Sequence, residues 1–259
     1  MGSSTWSPRT SATSPTDSVR SVDGVNDALQ RAMRLLTDPP ADPVVSKGYL
    51  DLLTETGDRN TGTIQAMWAS RLGSLVYDNS QNVIRRVAAA WQLPLEWLSV
   101  PVGGVALDVG CGPGNVTAAL GRAAGPGGLA LGVDISEPML TRAVRAEAGP
   151  NVGFIRADAQ RLPLQDESVD AVVSVAMLQL IPDPTVALAE MVRVLRPGRR
   201  MAVMVPTAGP LARLINVLPN AGAHVFDDDE LGDTLEKFGL AGVRTKTMGT
   251  VQWVRGRKG

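Results

Sequence analysis

The chain has 259 residues, 44% of them hydrophobic, with 25 Lys and Arg against 26 Asp and Glu and a formal net charge of -1. That is enough apolar material for one α/β domain with additions, and it leaves no basic excess to hold a nucleic-acid backbone, so nucleic acid is not expected as a partner. One cysteine excludes an internal disulfide framework, no apolar run approaches the ~20 residues that span a bilayer, and the N-terminus has no secretory apolar core. These features predict a cytoplasmic protein without stable membrane insertion.

Three regions are expected. Residues 1–22 are dominated by Ser, Thr and Pro and read as a disordered tail. Residues 23–101 read as a helical extension. Its first helix runs over Asp27 to Thr37, with Leu29, Met33 and Leu36 on one face and Asp38-Pro39-Pro40 as the stop. A second carries Ile64, Met67, Trp68 and Leu72, and a third Val83, Val87, Ala90 and Trp91 before Leu93-Pro94.

The third region, 102–259, opens on the most informative stretch of the chain. Val105 to Val109 is a short apolar run suited to a central parallel strand. Gly110, Cys111, Gly112, Pro113 and Gly114 follow, and glycines at alternate positions let a backbone turn sharply and approach a ligand closely. Val116, Ala119, Leu120 and Ala123 then fall at helical spacing before a stop at Gly125. A helix N-terminus set over a strand end is a platform for a nucleotide-like cofactor. The spacing is G-x-G-x-G with Asn115 next, so the third glycine of a dinucleotide fingerprint is missing, and no Lys-Ser or Lys-Thr pair marks a phosphate loop. An NAD-dependent oxidoreductase of Rossmann fold is thereby disfavoured but kept as an alternative.

From Asp108 to Gly114 the sequence resembles the first motif of the class I S-adenosylmethionine-dependent methyltransferases. Later landmarks follow in the order this resemblance requires. Leu129 to Val133 is a second apolar run ending at Asp134, 20 residues beyond Gly114; a carboxylate at that strand tip offers two acceptor oxygens to ribose hydroxyls. Val152 to Arg156 reads as a third strand, followed by Ala157-Asp158-Ala159, where an Asp accepts from the adenine amine. Ala171 to Val175 is a fourth strand and Met201 to Val205 a fifth, introduced by a Leu195-Arg196-Pro197-Gly198 turn. Ala157 to Ser174, with Leu162-Pro163-Leu164 and Ser168-Val169-Asp170, is similar to the subgroup that includes ubiquinone- and menaquinone-biosynthesis methyltransferases.

The resemblance implies an α/β, Rossmann-like fold: a seven-stranded, mostly parallel sheet with helices on both faces and an N-terminal helical lid. Its last two strands, near Val243–Met248 and Gln252–Arg257, would form a reversed hairpin. It implies S-adenosylmethionine as cofactor and a small, lipophilic or aromatic methyl acceptor, with a non-catalytic S-adenosylmethionine-binding protein as a further alternative. Cofactor contacts are expected from Asp108, Gly110, Cys111, Gly112, Gly114, Asp134, Ile135, Met139, Asp158, Ala159 and Val175. Trp68 and Tyr77, in company with Trp91 and Trp97, are candidates to line the acceptor pocket, although core packing is the commoner fate of such rings.

Many relatives carry a His after the fourth strand; here the matching position is Gln179, which does not act as a base near neutral pH. The only histidine, His224, is the remaining candidate general base. Cys111 reads as a small packed residue rather than a nucleophile. Asp227, Asp228 and Asp229 read as a helix start, Asp227 pairing with Glu230 in a capping box, rather than as metal ligands. No metal is expected, and the sequence leaves the oligomeric state open.

Overall fold

The computed structural model describes residues 26–53, 94–206, 226–227, 229–249 and 251–259. Eight strands form one sheet: β1 (Leu50–Asp51), β2 (Val105–Val109), β3 (Leu129–Asp134), β4 (Val152–Arg156), β5 (Val169–Val175), β6 (Leu195–Pro206), β7 (Leu240–Met248) and β8 (Val251–Lys258). Their order is β1-β4-β3-β2-β5-β6-β8-β7. The strands from β1 to β6 pair in parallel, whereas β8 runs antiparallel to both β6 and β7. The chain leaves β2 toward β3 and β4 on one side and returns to β5 and β6 on the other, so the order reverses at the carboxyl end of β2, where such sheets bind ligands.

The fold class is the expected one, with one strand more than the seven expected. The extra strand is the two-residue β1, which adds to the edge through Leu50 opposite Ile155 and Asp51 opposite Arg156. Two residues carry no readable alternation. The Leu195-Arg196-Pro197-Gly198 turn is absorbed into a longer β6 as an irregularity, because Val169 pairs with Leu195 while Ala171 pairs with Arg200. Arg196 and Arg199 reach back from this bulge to Asp170, at 2.8 and 3.2 Å, and the backbone N–H of Val105 also donates to that carboxylate at 2.9 Å.

Helices cover both faces. The first core packs α1 (Asp27–Met33), α5 (Pro184–Val194) and α6 (Glu230–Lys237) on one side through Leu29, Leu188, Met191, Leu231 and Leu235. The second packs α2 (Leu95–Leu98), α3 (Asn115–Ala124) and α4 (Glu137–Glu147) on the other through Leu98, Leu120 and Leu140. Asn26 caps α1 by accepting from the Leu29 N–H at 2.8 Å. That helix is shorter than the Asp27–Thr37 expected: after Met33 the chain bonds to another segment, with the Thr37 N–H donating to Pro163 and the Gln165 N–H to Leu35. Arg31 ties α1 to the sheet by donating to the carbonyls of Gly127 and Gly128.

The buried stripe of α3 is also offset from the sequence reading. Thr117, Ala118, Leu120, Gly121 and Ala124 face inward, whereas Val116, Ala119 and Ala123 are half-buried. Gly121 fixes this choice, because a Cβ there would stand 2.5 Å from Val152 Cγ2. At α6, Glu230 accepts from the Asp227 N–H at 3.1 Å, one half of the expected capping box. The helices expected around Ile64 and Val83 lie outside the described residues. No described helix is long and apolar enough to cross a membrane.

Candidate functional site

The turn after β2 closes over the end of β3. The N–H groups of Gly110 and Cys111 both donate to the Val133 carbonyl, at 2.8 and 3.0 Å. Gly110, Gly112 and Gly114 take φ of 75°, 50° and 86°, the left-handed region that side chains resist. Their surroundings differ. A Cβ on Gly110 would stand 2.3 Å from Met177 Cγ, and one on Gly114 2.8 Å from the Phe154 ring. A Cβ on Gly112 would meet no atom of the described residues within 4 Å. Packing thus demands the outer two glycines, while the middle one faces space that a ligand can enter.

Two acids lie around this turn. Asp134, at the tip of β3, accepts from the Gly112 N–H through Oδ2 and from the Ser136 N–H through Oδ1, each at 2.8 Å. Each oxygen keeps a further lone pair. Asp108 is 1% exposed and accepts 2.7 Å from the Thr117 hydroxyl. Burial pushes its carboxyl up to about 7, with the nearby Asp134 charge adding to the rise and the Thr117 bond opposing it. Asp134 is raised as well, by burial, against the backbone N–H groups of Ser136, Gly112 and Ile135. No cation pairs with either acid among the described residues, so a cationic or hydroxyl-rich guest would stabilise their ionised forms.

Thr117 and Gly132 are parts of the site that the sequence reading missed. A Cβ on Gly132 would stand 2.8 Å from Thr117 Oγ1 and 2.9 Å from Cys111 Cβ, so this strand glycine lets α3 and the turn settle onto β3. A lone glycine inside a strand is the available signal for such close approach. Cys111 is buried, its thiol is pushed well above its ordinary value by burial, and its Sγ lies 3.8 Å from the Gly112 carbonyl. This fits packing and not nucleophilic chemistry.

The other expected cofactor residues gather at the same ends of the strands. Asp158 follows β4 and caps the single turn Ala159–Arg161 by accepting from the Gln160 N–H at 2.9 Å through Oδ1. Ile135 follows Asp134, and its carbonyl accepts from Arg156 Nε at 3.2 Å. Met139 is buried in the first turn of α4, and Val175 ends β5, opposite Met204.

Beyond Val175, Ala176 sits at φ 54°, outside glycine's usual monopoly on that region. Gln179 Nε2 donates to the Ala176 carbonyl at 2.8 Å, which fixes the amide orientation. Its Oε1 is buried with no partner among the described residues. His224, Trp68, Tyr77 and Trp91 lie outside the described residues. Trp97 is not where the sequence reading put it: it stacks with Arg200 and Arg255 on the half of the sheet away from the glycine turn. Among the described residues no three His, Cys, Asp or Glu side chains gather to hold a metal.

A family model described as a methyltransferase domain matches residues 107–203. A demethylmenaquinone methyltransferase of Staphylococcus aureus (strain JH9) is 40% identical over 137 residues, which cover 52% of this chain and 56% of that protein. An uncharacterized 37.1 kDa protein in transposon TN4556 of Streptomyces fradiae is 42% identical over 113 residues, 43% of this chain and 33% of the relative. The chain thus spans between a third and just over half of these relatives' lengths.

Two solved structures share the fold. A Thermotoga maritima S-adenosylmethionine-dependent methyltransferase, described as a possible histamine N-methyltransferase, has a TM-score of 0.59 at 23% identity, covering 76% of this chain and 100% of its own. A chain from the Haloferax volcanii complex of the Trm112 methyltransferase activator with a methyltransferase has a TM-score of 0.61 at 19% identity, covering 73% and 95%. Residues 107–203 thus match a methyltransferase domain, and the chain shares its fold with these methyltransferase structures.

Proposed function

We propose that this protein transfers a methyl group from S-adenosylmethionine to a small, lipophilic or aromatic acceptor, within a domain spanning 102–259 and under a lid from 23–101 that follows a tail at 1–22. The observation that carries the reading is the pair Asp108 and Asp134 around a turn whose middle glycine faces open space. The residues suit the cofactor: Asp108 meets the positive amino-acid end, Gly110 and Gly112 give it a backbone path, and Asp134 accepts from the ribose hydroxyls. Ile135 and Met139 flank the adenosine, with Asp158 and Ala159 at the adenine edge and Val175 offering a carbonyl to the ammonium. Cys111 and Gly114 shape the turn. Relatives named as demethylmenaquinone methyltransferases support a small acceptor of this kind.

When bound, the cofactor supplies a methyl already activated by its sulfonium. The protein's contribution is then orientation, holding the acceptor in line at close approach. Gln179 serves on the acceptor side: its Nε2 holds the Ala176 carbonyl, and its Oε1 is a buried acceptor for a substrate O–H or N–H. An amide takes up no proton near neutral pH, so where the acceptor must be deprotonated His224 is the candidate base.

Titration calorimetry with S-adenosylhomocysteine tests the reading. Wild-type protein should bind, and Asp134→Ala should lose at least about tenfold in affinity, the scale of a charge-assisted hydrogen bond. No measurable affinity in the wild type would refute the proposal. Turnover of His224→Gln against pH then separates the two mechanisms: an unchanged rate and profile leaves orientation alone.

A further inference from the structure

The far half of the sheet carries a second unpaired charge cluster. Arg200 on β6 stands opposite Arg257 on β8, and Arg255 stands opposite both Ala202 on β6 and Arg244 on β7. Opposed residues of neighbouring strands share a face, so four arginines crowd one side of the terminal hairpin. Like charges in opposed positions repel. Several guanidinium groups elsewhere are paired: Arg156 meets Asp51, Arg193 meets Glu190 and Asp166, and Arg196 and Arg199 meet Asp170. No carboxylate reaches Arg200, Arg255 or Arg257 among the described residues, although the chain holds slightly more acids than bases.

Trp97 organises the cluster. Its ring lies 5.3 Å from the Arg200 guanidinium and 5.0 Å from that of Arg255. Stacking uses the flat face of a guanidinium and leaves its in-plane N–H donors available. Arg200 also donates to the Trp97 carbonyl, which ties α2 to the strand. Beside this stack lies a cavity of about 260 Å³ lined by Trp97, Arg200, Ala241, Gly242 and Arg257. The register of β7 shifts between Ala241 and Arg244, and Gly242 takes φ 62° there, with no atom of the described residues within 4 Å of where a Cβ would stand. The bulge therefore leaves the rim uncrowded.

We propose that this cavity binds the phosphate group of a soluble phosphorylated small molecule. Guanidinium forks match phosphate oxygens in charge and geometry. The volume falls below the ~300–1,000 Å³ of pockets that enclose drug-sized ligands, so it suits a headgroup more than a whole molecule. The site is separate from the glycine turn. Arg200 is level with Ala171 and Ala106, three residues short of the end of β2, a rise of ~10 Å, and β8 lies three strands away, ~14 Å across the sheet. The proposal does not depend on methyl transfer.

Calorimetry of the full chain with pyrophosphate tests it. The wild type should bind with a Kd at or below ~1 mM. Arg257→Gln alters an exposed residue without a carboxylate partner, and it should weaken binding by about tenfold or more, as for loss of one charge-assisted bond. Arg122→Gln, which removes an exposed charge on α3, should leave the affinity unchanged, and so should saturating S-adenosylhomocysteine. No binding, an equal loss in both variants, or adsorption to phosphatidylglycerol vesicles that pyrophosphate does not compete would each overturn the proposal.

Discussion

Replacing Asp108 by Asn probes the buried acid without disturbing its surroundings, because the Asn carbonyl still accepts from the Thr117 hydroxyl now 2.7 Å from Oδ2. In the folded protein the carboxyl titrates at about 7, raised first by burial and further by Asp134, against an ordinary value of 3.8. Between these two pH values the unfolded chain has released a proton that the folded chain still holds. Folding stability therefore falls as pH rises across this window. At 1.36 kcal/mol per pH unit the whole span amounts to about 4 kcal/mol, a large share of the 5–15 kcal/mol typical of a domain. Asp108→Asn removes the titration. It should leave stability near the wild-type value at pH 4 and raise it by a few kcal/mol at pH 8. Urea denaturation at the two pH values, in the absence of ligand, reads the difference directly. Equal effects at both, or a loss of stability at pH 8, would refute the assignment of a strained, buried acid.

Further outcomes follow from the same contacts. Affinity for S-adenosylhomocysteine should rise as pH passes upward through about 7, because the ionised Asp108 is the form that meets a positive amino group; calorimetry from pH 6 to 8 checks this, and a flat profile would remove Asp108 from the contact. Gly110→Ala forces a Cβ to within 2.3 Å of Met177 Cγ at a φ of 75°, which should cost about 1–3 kcal/mol in thermal denaturation. Gly112→Ala meets no atom of the described residues within 4 Å, so it should cost only ~1 kcal/mol of left-handed strain yet weaken S-adenosylhomocysteine severalfold. Asp170→Ala strands Arg196, Arg199 and the Val105 N–H together and should lower stability by ~1–3 kcal/mol, visible as a lower urea midpoint.

Much of the glycine-turn end of the sheet was legible because its signals are local. The glycine turn, the strand ending at Asp134 and the Asp158 turn are short-range patterns of apolar runs and breakers, and the structure sets all three at the same end of the sheet. Features made by contact across the chain were not legible. The bond from Gly112 to Asp134 spans 22 residues. Apolar counting on α3 selected Val116 and Ala119, whereas the helix turns Thr117, Ala118 and Gly121 inward, because small and hydroxyl-bearing residues are what close packing and the Asp108 bond require there. Trp97 was misplaced for a similar reason. An aromatic ahead of the sheet is equally compatible with either end until Arg200 and Arg255, more than 100 residues later, are known to stack on it.

The charge layout ties these observations together. Twenty-five cationic side chains against 26 anionic ones would allow nearly complete pairing, and across the middle of the fold the pairing happens, with Asp170 alone serving two arginines. Two unpaired sets lie apart from each other. Among the described residues, Asp108 and Asp134 have no cation where β2 and β3 end, and Arg200, Arg255 and Arg257 have no anion at the far side of the sheet. Neither set meets its complement among the described residues; a cationic, hydroxyl-bearing guest would supply it at the glycine turn and an anionic one beside Trp97. Stabilisation by each guest should consequently add to that by the other, because binding free energies at sites that share no partners are independent. Thermal shifts with S-adenosylhomocysteine and pyrophosphate, alone and together, should sum; a joint shift equal to the larger single one would place both ligands at one site.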